Sequence, residues 1–193
     1  MPAEDDQPWL VVGLGNPGPE YAGNRHNVGF LVVEQLAGSG ARFKAHKRSR
    51  ALTWEGRVDG NRVVLVKPTT YMNDCGQAVA PLCSFYKVEP GRVVAIHDEL
   101  DLPFGSLRLK CGGGDNGHNG LKSLRKSLGT GDFHRARVGI GRPPGRMDPS
   151  AFVLRDFSAS ERAELPQLVD RVADAVAALV EQGLDQAQSQ FND

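Results

Sequence analysis

The chain has 193 residues, of which 40% are hydrophobic and 24% charged, and its formal net charge is zero. These values predict one domain with a hydrophobic core over residues 1–193, in which residues 1–8 form a flexible tail. Three cysteines without CxxC spacing (Cys75, Cys83 and Cys111) argue against a disulfide framework or a zinc knuckle and favour a reducing compartment.

The distribution of charge and of apolar residues indicates the compartment and the kind of partner. The first residues are acidic and polar, and no apolar stretch approaches the roughly 20 residues of a membrane span, so we expect a cytoplasmic protein. Residues 42–142 contain 18 Lys and Arg against 9 Asp and Glu, whereas residues 148–193 contain 3 against 9. This asymmetry predicts one face directed at a polyanion, with an accidental spread of solvated charge as the alternative.

The first predicted strand covers residues 9–14 and leads into a loop rich in Gly and Pro. Beyond the loop, apolar spacing predicts a helix over residues 27–37. The loop contains Asn16, Tyr21 and His26. Because reactive groups in α/β proteins often lie where a strand ends and a helix begins, we expect these side chains to face one cleft.

Residues 51–58 and 62–67 flank an Asp-Gly-Asn turn, which is a strong signal for a β-hairpin. The preceding residues 43–50 are basic and are expected to be exposed. After the hairpin, Asn73 is predicted to cap a helix that runs to about residue 86, with a kink or an early end at Pro81.

A further apolar strand over residues 93–96 delivers the sequence His-Asp-Glu-Leu-Asp, residues 97–101, at its C-terminal end. A short strand is predicted over residues 107–110. The Gly-rich loop of residues 112–120 then leads into a helix over residues 121–128. A second group of polar side chains is thus predicted at a strand end and in a loop.

Residues 135–140 are strand-like, and Ser158 and Glu161 have capping-box spacing at the start of a last helix that stops at Gly183. Helices that alternate with strands indicate α/β architecture, and the hairpin indicates that the sheet is mixed. The predicted fold is a single three-layer α/β domain with a twisted mixed β-sheet flanked by helices.

Gly13, Gly15 and Gly18 match a dinucleotide-binding fingerprint in their letters. However, two prolines stiffen this turn, the next helix starts several residues late, and no strand ending in an acid follows about 20 residues on. We therefore expect no nucleotide cofactor; an oxidoreductase remains an alternative that binding of NAD would reveal.

A metal site is another alternative, because several possible ligands occur close together in the sequence. Their spacing matches neither HExxH nor HxH, and no cysteine joins them. We therefore expect no metal at these residues: His97, Asp98, Glu99, Asp101 and His118.

Three asparagines, Asn16, Asn73 and Asn119, each lie in or beside a loop that leads to a helix. Singly, each is well explained as a cap or turn residue, and His26 alone as a structural histidine. Together with one carboxylate, these side chains predict a site. An amide offers both a donor and an acceptor, which suits a substrate rich in peptide and hydroxyl groups.

Four sequence blocks follow one another between residues 13 and 145: GLGNPGPEYAGNRHNVGF, KPTTYMNDCG, HDELDLPFGSLRLKCGGGDNGHNGLKS and FHRARVGIGRPPG. They resemble the signature blocks of the bacterial-type peptidyl-tRNA hydrolases in order and spacing, and the segment FVLRDF and the last helix also fit. The resemblance implies a monomeric, metal-free esterase without a cofactor. Its substrate is peptidyl-tRNA, and it cleaves the ester between the peptide and the terminal ribose.

The resemblance also implies roles for individual residues. His26 is implied as the base that activates water, Asp98 as its orienting partner, and Asn16 as the residue that discriminates blocked from free aminoacyl groups. The remaining implied contacts are to the peptide and the 3′ end (Tyr21, Tyr71, Asn73, His118 and Asn119) and to tRNA phosphates (Lys110 and Arg137).

Two residues depart from the family pattern. Asp115 places a negative charge in the Gly-rich loop, near which phosphate is expected, and Asn24 stands where Thr is frequent. No Ser or Cys has a nucleophile-elbow setting, so we expect direct attack by water. A catalytically silent RNA-binding relative on the same fold is the alternative function, against which the retention of His26, Asp98 and the asparagines argues.

Overall fold

The computed structural model describes residues 6–193, so residues 1–5 of the predicted tail lie outside the described residues. Residues 6–8 are attached to the domain, and Pro8 is buried. Arg62 donates a hydrogen bond to the carbonyl oxygen of Asp6 (2.8 Å), and Arg92 donates one to the carbonyl oxygen of Gln7 (2.9 Å).

Seven strands form one mixed sheet. They are β1 (Trp9–Gly13), β2 (Lys44–Ala45), β3 (Ala51–Val58), β4 (Asn61–Pro68), β5 (Val93–Glu99), β6 (Leu107–Cys111) and β7 (His134–Gly139). Their order across the sheet is β2-β3-β4-β1-β5-β7-β6. The four central strands β4, β1, β5 and β7 are parallel to one another. The outer pairs β2–β3, β3–β4 and β6–β7 are antiparallel, which confirms the predicted mixed sheet.

Helices cover both faces of the sheet. They are α1 (Val28–Ala37), α2 (Gly76–Tyr86), α3 (Asn119–Leu128), α4 (Pro149–Val153), α5 (Ala159–Gln182) and α6 (Leu184–Phe191). One core lies between the sheet and α1 and α5, and the other between the sheet and α2 and α3. The three-layer α/β domain is therefore confirmed. Within residues 6–193, no helix combines the length and the apolar character that a membrane crossing requires.

The strands supply both cores because successive side chains point to opposite faces. In β5, Val94 and Ile96 point into the core under α1 and α5, whereas Val93 and Ala95 point into the core under α2 and α3. All four side chains are fully buried. The same alternation continues into the polar residues at the end of β5, which places them where the parallel strands end.

The N-terminal turn of α1 packs directly on the backbone of β1 and β5. A Cβ atom at Gly29 would lie 2.4 Å from the carbonyl oxygen of Ile96, and one at Gly13 would lie 2.4 Å from the carbonyl oxygen of Gly29. Only glycine permits this approach of two backbones. The contact brings the turn before α1, which contains His26, beside the end of β5.

Two residues that follow α6 lie along β6, the edge strand of the sheet. The backbone N–H of Leu109 donates to Oδ1 of Asn192 (2.7 Å), and that of Leu107 donates to Oδ2 of Asp193 (2.9 Å). Arg171 of α5 pairs with the same Asp193 carboxylate at 2.7 Å. The end of the described chain is thereby attached to both β6 and α5.

The structure differs from the sequence-based expectation around α2. Asn73 lies in a short 3-10 turn, and α2 begins only at Gly76, so Asn73 is not its cap. The helix continues through Pro81 to Tyr86, so the predicted early end is wrong. Pro81 follows the first turn, and the carbonyl that lacks its usual N–H partner belongs to Gln77, which is exposed and open to water.

Candidate active site

A cleft of about 700 Å³ opens where β1 and β5 end. Its walls come from the loop after β1, the turn before α2, the end of β5, the start of α3 and the short helix α4. Eight of the ten predicted site residues line it: Asn16, Tyr21, His26, Tyr71, Asn73, Asp98, His118 and Asn119. The sequence therefore identified most of one contiguous surface, although these residues come from separate elements.

His26 and Asp98 form the buried centre of the cleft. Nδ1 of His26 lies 2.9 Å from Oδ2 and 3.0 Å from Oδ1 of Asp98. Only 8% of His26 and 4% of Asp98 are exposed. Because Nδ1 is held by the carboxylate, Nε2 is the imidazole nitrogen that remains for a molecule in the cleft.

The turn that contains His26 is fixed to the C-terminal part of the chain by Arg25. This buried guanidinium donates to Oε1 of Glu161 at 2.8 Å and lies over the ring of Phe152, 4.0 Å from its centroid. The backbone N–H of Arg25 donates to the carbonyl oxygen of Arg155 (3.0 Å). These bonds leave the imidazole little freedom to move away from the end of β5.

Asp98 has a second histidine partner that sequence reasoning assigned to substrate contact. Nε2 of His118 lies 2.9 Å from Oδ1 of Asp98, while Nδ1 of His118 accepts from the N–H groups of Gly120 (3.1 Å) and Leu121 (3.3 Å). Two donors at Nδ1 require the hydrogen to sit on Nε2, which donates it to the carboxylate. Both nitrogens of His118 are engaged, so its ring supports Asp98 and the start of α3.

Two effects act on the Asp98 carboxyl in opposite directions. Burial raises its pKa, but the His26 and His118 imidazoles and their hydrogen bonds outweigh burial and hold the pKa well below its usual range. Asp98 is therefore an anion near neutral pH. An anion in this position stabilises positive charge on the imidazole of His26.

Asn16 presents its amide N–H₂ to the cleft. Its Oδ1 accepts from the backbone N–H of Met72 (2.7 Å), which fixes the orientation of the amide. Asn27 holds the backbone of Asn16 from the other side, since its Oδ1 accepts from the N–H and its Nδ2 donates to the carbonyl oxygen, both at 2.9 Å. The contributions of Met72 and Asn27 carry no sequence signal, because they depend on how two distant loops meet.

Aromatic and apolar side chains also line the cleft. Tyr21 and Tyr71 make an edge contact with ring centroids 6.4 Å apart, and Tyr71 is 60% exposed. Val153 of α4 and Leu154, which follows it, are the apolar lining residues from this part of the chain, and Leu154 is 45% exposed. Sequence analysis missed α4, although Asp148 before Pro149 is an N-terminal helix signal, and its carboxylate does cap the helix.

Lys110 and Arg137 do not line the main cleft. They line a second cavity of about 300 Å³, which they share with Arg135 and which is separated from the cleft by Glu99 and Asn116. Both Nε and Nη2 of Arg137 donate to Oε1 of Glu99, at 3.0 and 2.9 Å. The two predicted phosphate ligands therefore lie together beside the cleft.

The Gly-rich loop is held in place between these two cavities. Arg135 donates to the carbonyl oxygens of Gly113 (3.0 Å) and Gly131 (3.1 Å), and Asn116 donates to Oε2 of Glu99 (2.7 Å). Asp115, the departure from the family pattern, turns its carboxylate to Nη1 of Arg125 at 3.6 Å. Its negative charge is therefore partly offset by a neighbouring cation.

Three of the residues at the centre of the cleft are of types that can bind a metal ion. Within residues 6–193, one potential ligand cluster comprises His26, Asp98 and His118, whose ligand atoms lie within 4.8 Å of one another. In this arrangement His118 carries its hydrogen on the nitrogen that a metal would need, and both histidines already bond the carboxylate. Of the five metal-ligand candidates in the sequence, His97, Glu99 and Asp101 lie outside this cluster.

The chain is similar to known proteins over almost its whole length. The sequence model of a family described as peptidyl-tRNA hydrolase matches residues 10–193. A peptidyl-tRNA hydrolase of Streptomyces coelicolor is 61% identical over 191 residues, covering 96% of this chain and 95% of the relative. One of Frankia alni is 59% identical over 189 residues, covering 97% and 95%.

A solved structure is similar over nearly the same length. The crystal structure of peptidyl-tRNA hydrolase from Acinetobacter baumannii has a TM-score of 0.90 and 40% sequence identity, and the match covers 98% of this chain and 97% of that chain. A purine nucleoside phosphorylase from Toxoplasma gondii has a TM-score of 0.52 at 9% identity, which is a likeness of fold alone.

Proposed function

The chain belongs to the peptidyl-tRNA hydrolase family and is a hydrolase that acts on peptidyl-tRNA; we propose that it cleaves the ester between the peptide and the 3′-terminal ribose, with His26 as general base. The observation that supports this most directly is the bond from Nδ1 of His26 to the buried Asp98 carboxylate. It leaves Nε2 for a water molecule in the cleft. Imidazole is the usual side chain for proton transfer near neutral pH.

The proposed reaction begins when Nε2 of His26 takes a proton from water. The water oxygen attacks the ester carbonyl carbon, and Asp98 stabilises the imidazolium that forms. The bond to the 3′ oxygen then breaks, and the imidazolium returns its proton to that oxygen. Peptide acid and tRNA leave, and His26 is restored to its neutral form.

Direct attack by water is preferred because of the side chains that line the cleft. Among the described residues that line the cleft, Ser150 is the one serine, and no cysteine lines it. Oγ of Ser150 donates to Oδ1 of Asp148 (2.9 Å), which caps α4. A nucleophilic serine requires an adjacent base that accepts its proton. Oγ of Ser150 donates to Asp148 and not to Nε2 of His26, which leaves this nitrogen for a water molecule.

Asn16 is the proposed donor to the substrate. Since its Oδ1 is held by Met72, its Nδ2 offers hydrogens to the carbonyl that becomes an oxyanion or to the neighbouring peptide carbonyl. Removal of a donor to an oxyanion typically costs about 3 kcal/mol in the barrier. A neutral peptide amide pairs with such amides, whereas the ammonium of a free aminoacyl ester would be poorly solvated there.

The remaining predicted residues belong to the proposal in two groups. Tyr21, Tyr71, Asn73 and Asn119 line the cleft and are assigned to the peptide and the 3′ end. Lys110 and Arg137 are assigned to phosphates, whose binding weakens with salt. We also propose that residues 1–193 form a single domain and that the protein is a monomer. It is expected to act without a metal ion and to be located in the cytoplasm.

Release of tRNA from an N-acetyl-aminoacyl-tRNA tests the proposal, with the unblocked aminoacyl-tRNA as the control substrate. We expect cleavage of the blocked ester alone. His26→Ala should lower kcat by at least about 100-fold with tRNA binding retained, given the size of general-base effects.

Three outcomes would contradict the proposal. They are a His26→Ala variant that keeps a tenth of the rate, equal cleavage of both esters, and activity that is lost on exhaustive chelation and restored by a metal ion. The last result would assign His26, Asp98 and His118 to a metal site instead.

A further inference from the structure

The segment before the β3–β4 hairpin, residues 42–50, forms a basic surface away from the cleft. We call it the β2–β3 surface; it comprises Arg42, Lys44, Lys47, Arg48 and Arg50, together with Phe85 at the end of α2. All five cationic side chains are exposed. None of the five lies within an ion-pair distance of 4.0 Å from a carboxylate in residues 6–193.

Several basic residues elsewhere in the described chain are paired with carboxylates, unlike the five of the β2–β3 surface. Arg137 pairs with Glu99 at 2.9 Å, and Lys67 pairs with Glu34 at 2.9 Å. Five positive charges without carboxylate partners, all within residues 42–50, repel one another. The binding of a polyanion relieves this repulsion. The cluster therefore fits a phosphate backbone better than it fits another part of this chain.

The segment has a defined conformation. The backbone N–H of His46 donates to the carbonyl oxygen of Ala51 (2.9 Å), and that of Arg48 donates to Nδ1 of His46 (3.1 Å). Oγ of Ser49 donates to the carbonyl oxygen of Ala78 in α2 (2.5 Å). A surface held in this way loses less conformational entropy on binding than a free loop.

An exposed aromatic ring lies within the basic surface. Phe85 is 43% exposed, and its ring is contacted edge-on by His46 with centroids 4.8 Å apart. Nζ of Lys47 lies 5.9 Å from the centre of the same ring. An aromatic face beside cations is the arrangement that stacks a nucleic-acid base while it binds the adjacent phosphate.

A groove joins this surface to the cleft. It has a volume of about 490 Å³, lies between α2 and α3, shares Asn73 and Asn119 with the cleft, and is also lined by Gln77. Nη2 of Arg50 donates to Oε1 of Gln77 at 2.8 Å, so the β2–β3 surface begins where the groove ends. Phe85 follows Gln77 by eight residues in α2. At a rise of about 1.5 Å per residue, it lies roughly 12 Å further along the helix.

We infer that the β2–β3 surface is a second RNA-binding surface, which contacts the sugar–phosphate backbone of the tRNA substrate beyond its 3′ end. The inference rests on the proposed function, because the continuous groove from the cleft is what assigns the RNA to the substrate. The contact is predicted to contribute to affinity and not to the chemical step, since it lies outside the reacting residues.

A double charge reversal, Lys47→Glu with Arg48→Glu, tests this surface. The matched control is Arg57→Glu with Arg62→Glu, which changes the same number of charges at the turn of the β3–β4 hairpin. Each variant is assayed on full-length N-acetyl-aminoacyl-tRNA and on its 3′-terminal CCA fragment. Melting temperatures and kcat on the fragment confirm that the variants are folded.

We expect the Lys47 and Arg48 reversal to raise KM for full-length substrate about tenfold at low salt, with unchanged kcat and unchanged KM for the fragment. Because two phosphate contacts are lost, the slope of log affinity against log salt should fall by about 2. The control should show neither effect. Phe85→Ala should raise KM for the full-length substrate alone, without change in the salt slope.

Two results would overturn the inference: an unchanged KM on full-length substrate, or an equal rise on the fragment, which would place the effect in the cleft. Direct binding of deacylated tRNA, measured by fluorescence anisotropy, separates this inference from the proposed chemistry. If the wild type failed to cleave the ester, weaker binding of tRNA by the charge reversal alone would still support the surface.

Discussion

At the scale of the residue, the central feature is one carboxylate shared by two imidazoles. Asp98 is held by His118 independently of His26, so its position does not depend on the charge state of the base. Local sequence identified all three residues as chemically relevant. The family resemblance implied a substrate contact for His118. Its bond to Asp98 was not predicted, because a contact between a loop residue and the end of a strand 20 positions earlier has no local signature.

The role of His118 as a positioning residue can be tested by separating kcat from KM. His118→Ala removes the donor to Asp98 and is expected to lower kcat about tenfold or more, as loss of an outer-shell partner typically does, with little change in KM. His118→Gln retains an amide donor and should recover part of the loss.

Asp98→Asn provides the reference for this comparison. It should reduce kcat more than His118→Ala does, because an amide partner favours the wrong tautomer of His26. A His118→Ala variant with normal kcat and raised KM would instead assign His118 to direct substrate contact.

At the scale of the element, several strands and the glycine stops of α1, α3 and α5 were predictable from the sequence. The strand over residues 9–14, the hairpin and the capping box of α5 all have local causes, and the structure confirms them. β2 was missed because its two residues are too few to show an alternating pattern. α6 was missed because its eight residues are mostly polar and show no clear helical periodicity of apolar residues. The start of α2 was misplaced because a 3-10 turn precedes it.

The packing of α1 on the sheet positions the proposed base, and Gly29→Ala tests this coupling. The added Cβ would lie 2.4 Å from the carbonyl oxygen of Ile96, so α1 must shift and displace His26 from Asp98. We expect a loss of about 1–3 kcal/mol in the free energy of unfolding, measured with urea, together with a fall in kcat.

Gly91→Ala is the matched control for this substitution. No atom lies within 4 Å of the Cβ that it adds, so stability and kcat should both stay close to the wild-type values. If Gly29→Ala retained full kcat despite its lower stability, the position of α1 would not govern the geometry of the site.

At the scale of the whole molecule, the buried His97 makes stability depend on pH. Its Nδ1 donates to the carbonyl oxygen of Asp98 (2.8 Å), and its Nε2 has no partner among the described residues. Burial, and secondarily His118, lower the pKa of His97 to about 3. The folded protein therefore keeps this ring neutral, whereas the unfolded chain protonates it below about pH 6.5.

The sign of the effect follows from proton uptake. Between about pH 6.5 and pH 3 the unfolded state binds the extra proton, so the free energy of unfolding falls as pH falls. From pH 7.5 to pH 5 we expect His97 to account for a loss of about 2 kcal/mol, measured by urea unfolding at each pH.

His97→Leu should show a smaller loss of stability over the same range. His134 also has a pKa lowered by burial and adds to the trend in both proteins, so the comparison isolates His97. Asp98 does not interfere, because its depressed pKa matters only below about pH 5. Parallel curves for the two proteins would show that His97 does not couple folding to protons.

The hydrogen bonds from β6 to Asn192 and Asp193 affect the tendency of this protein to aggregate through its edge strands. An unprotected outer strand offers a row of N–H groups on which a neighbouring chain can build. In β6, the backbone N–H groups of Leu107 and Leu109 already donate to side-chain oxygens of Asp193 and Asn192. The strand at the other edge of the sheet, β2, is only two residues long. Both borders thus give an incoming chain little to extend, which protects against strand-by-strand aggregation at high concentration.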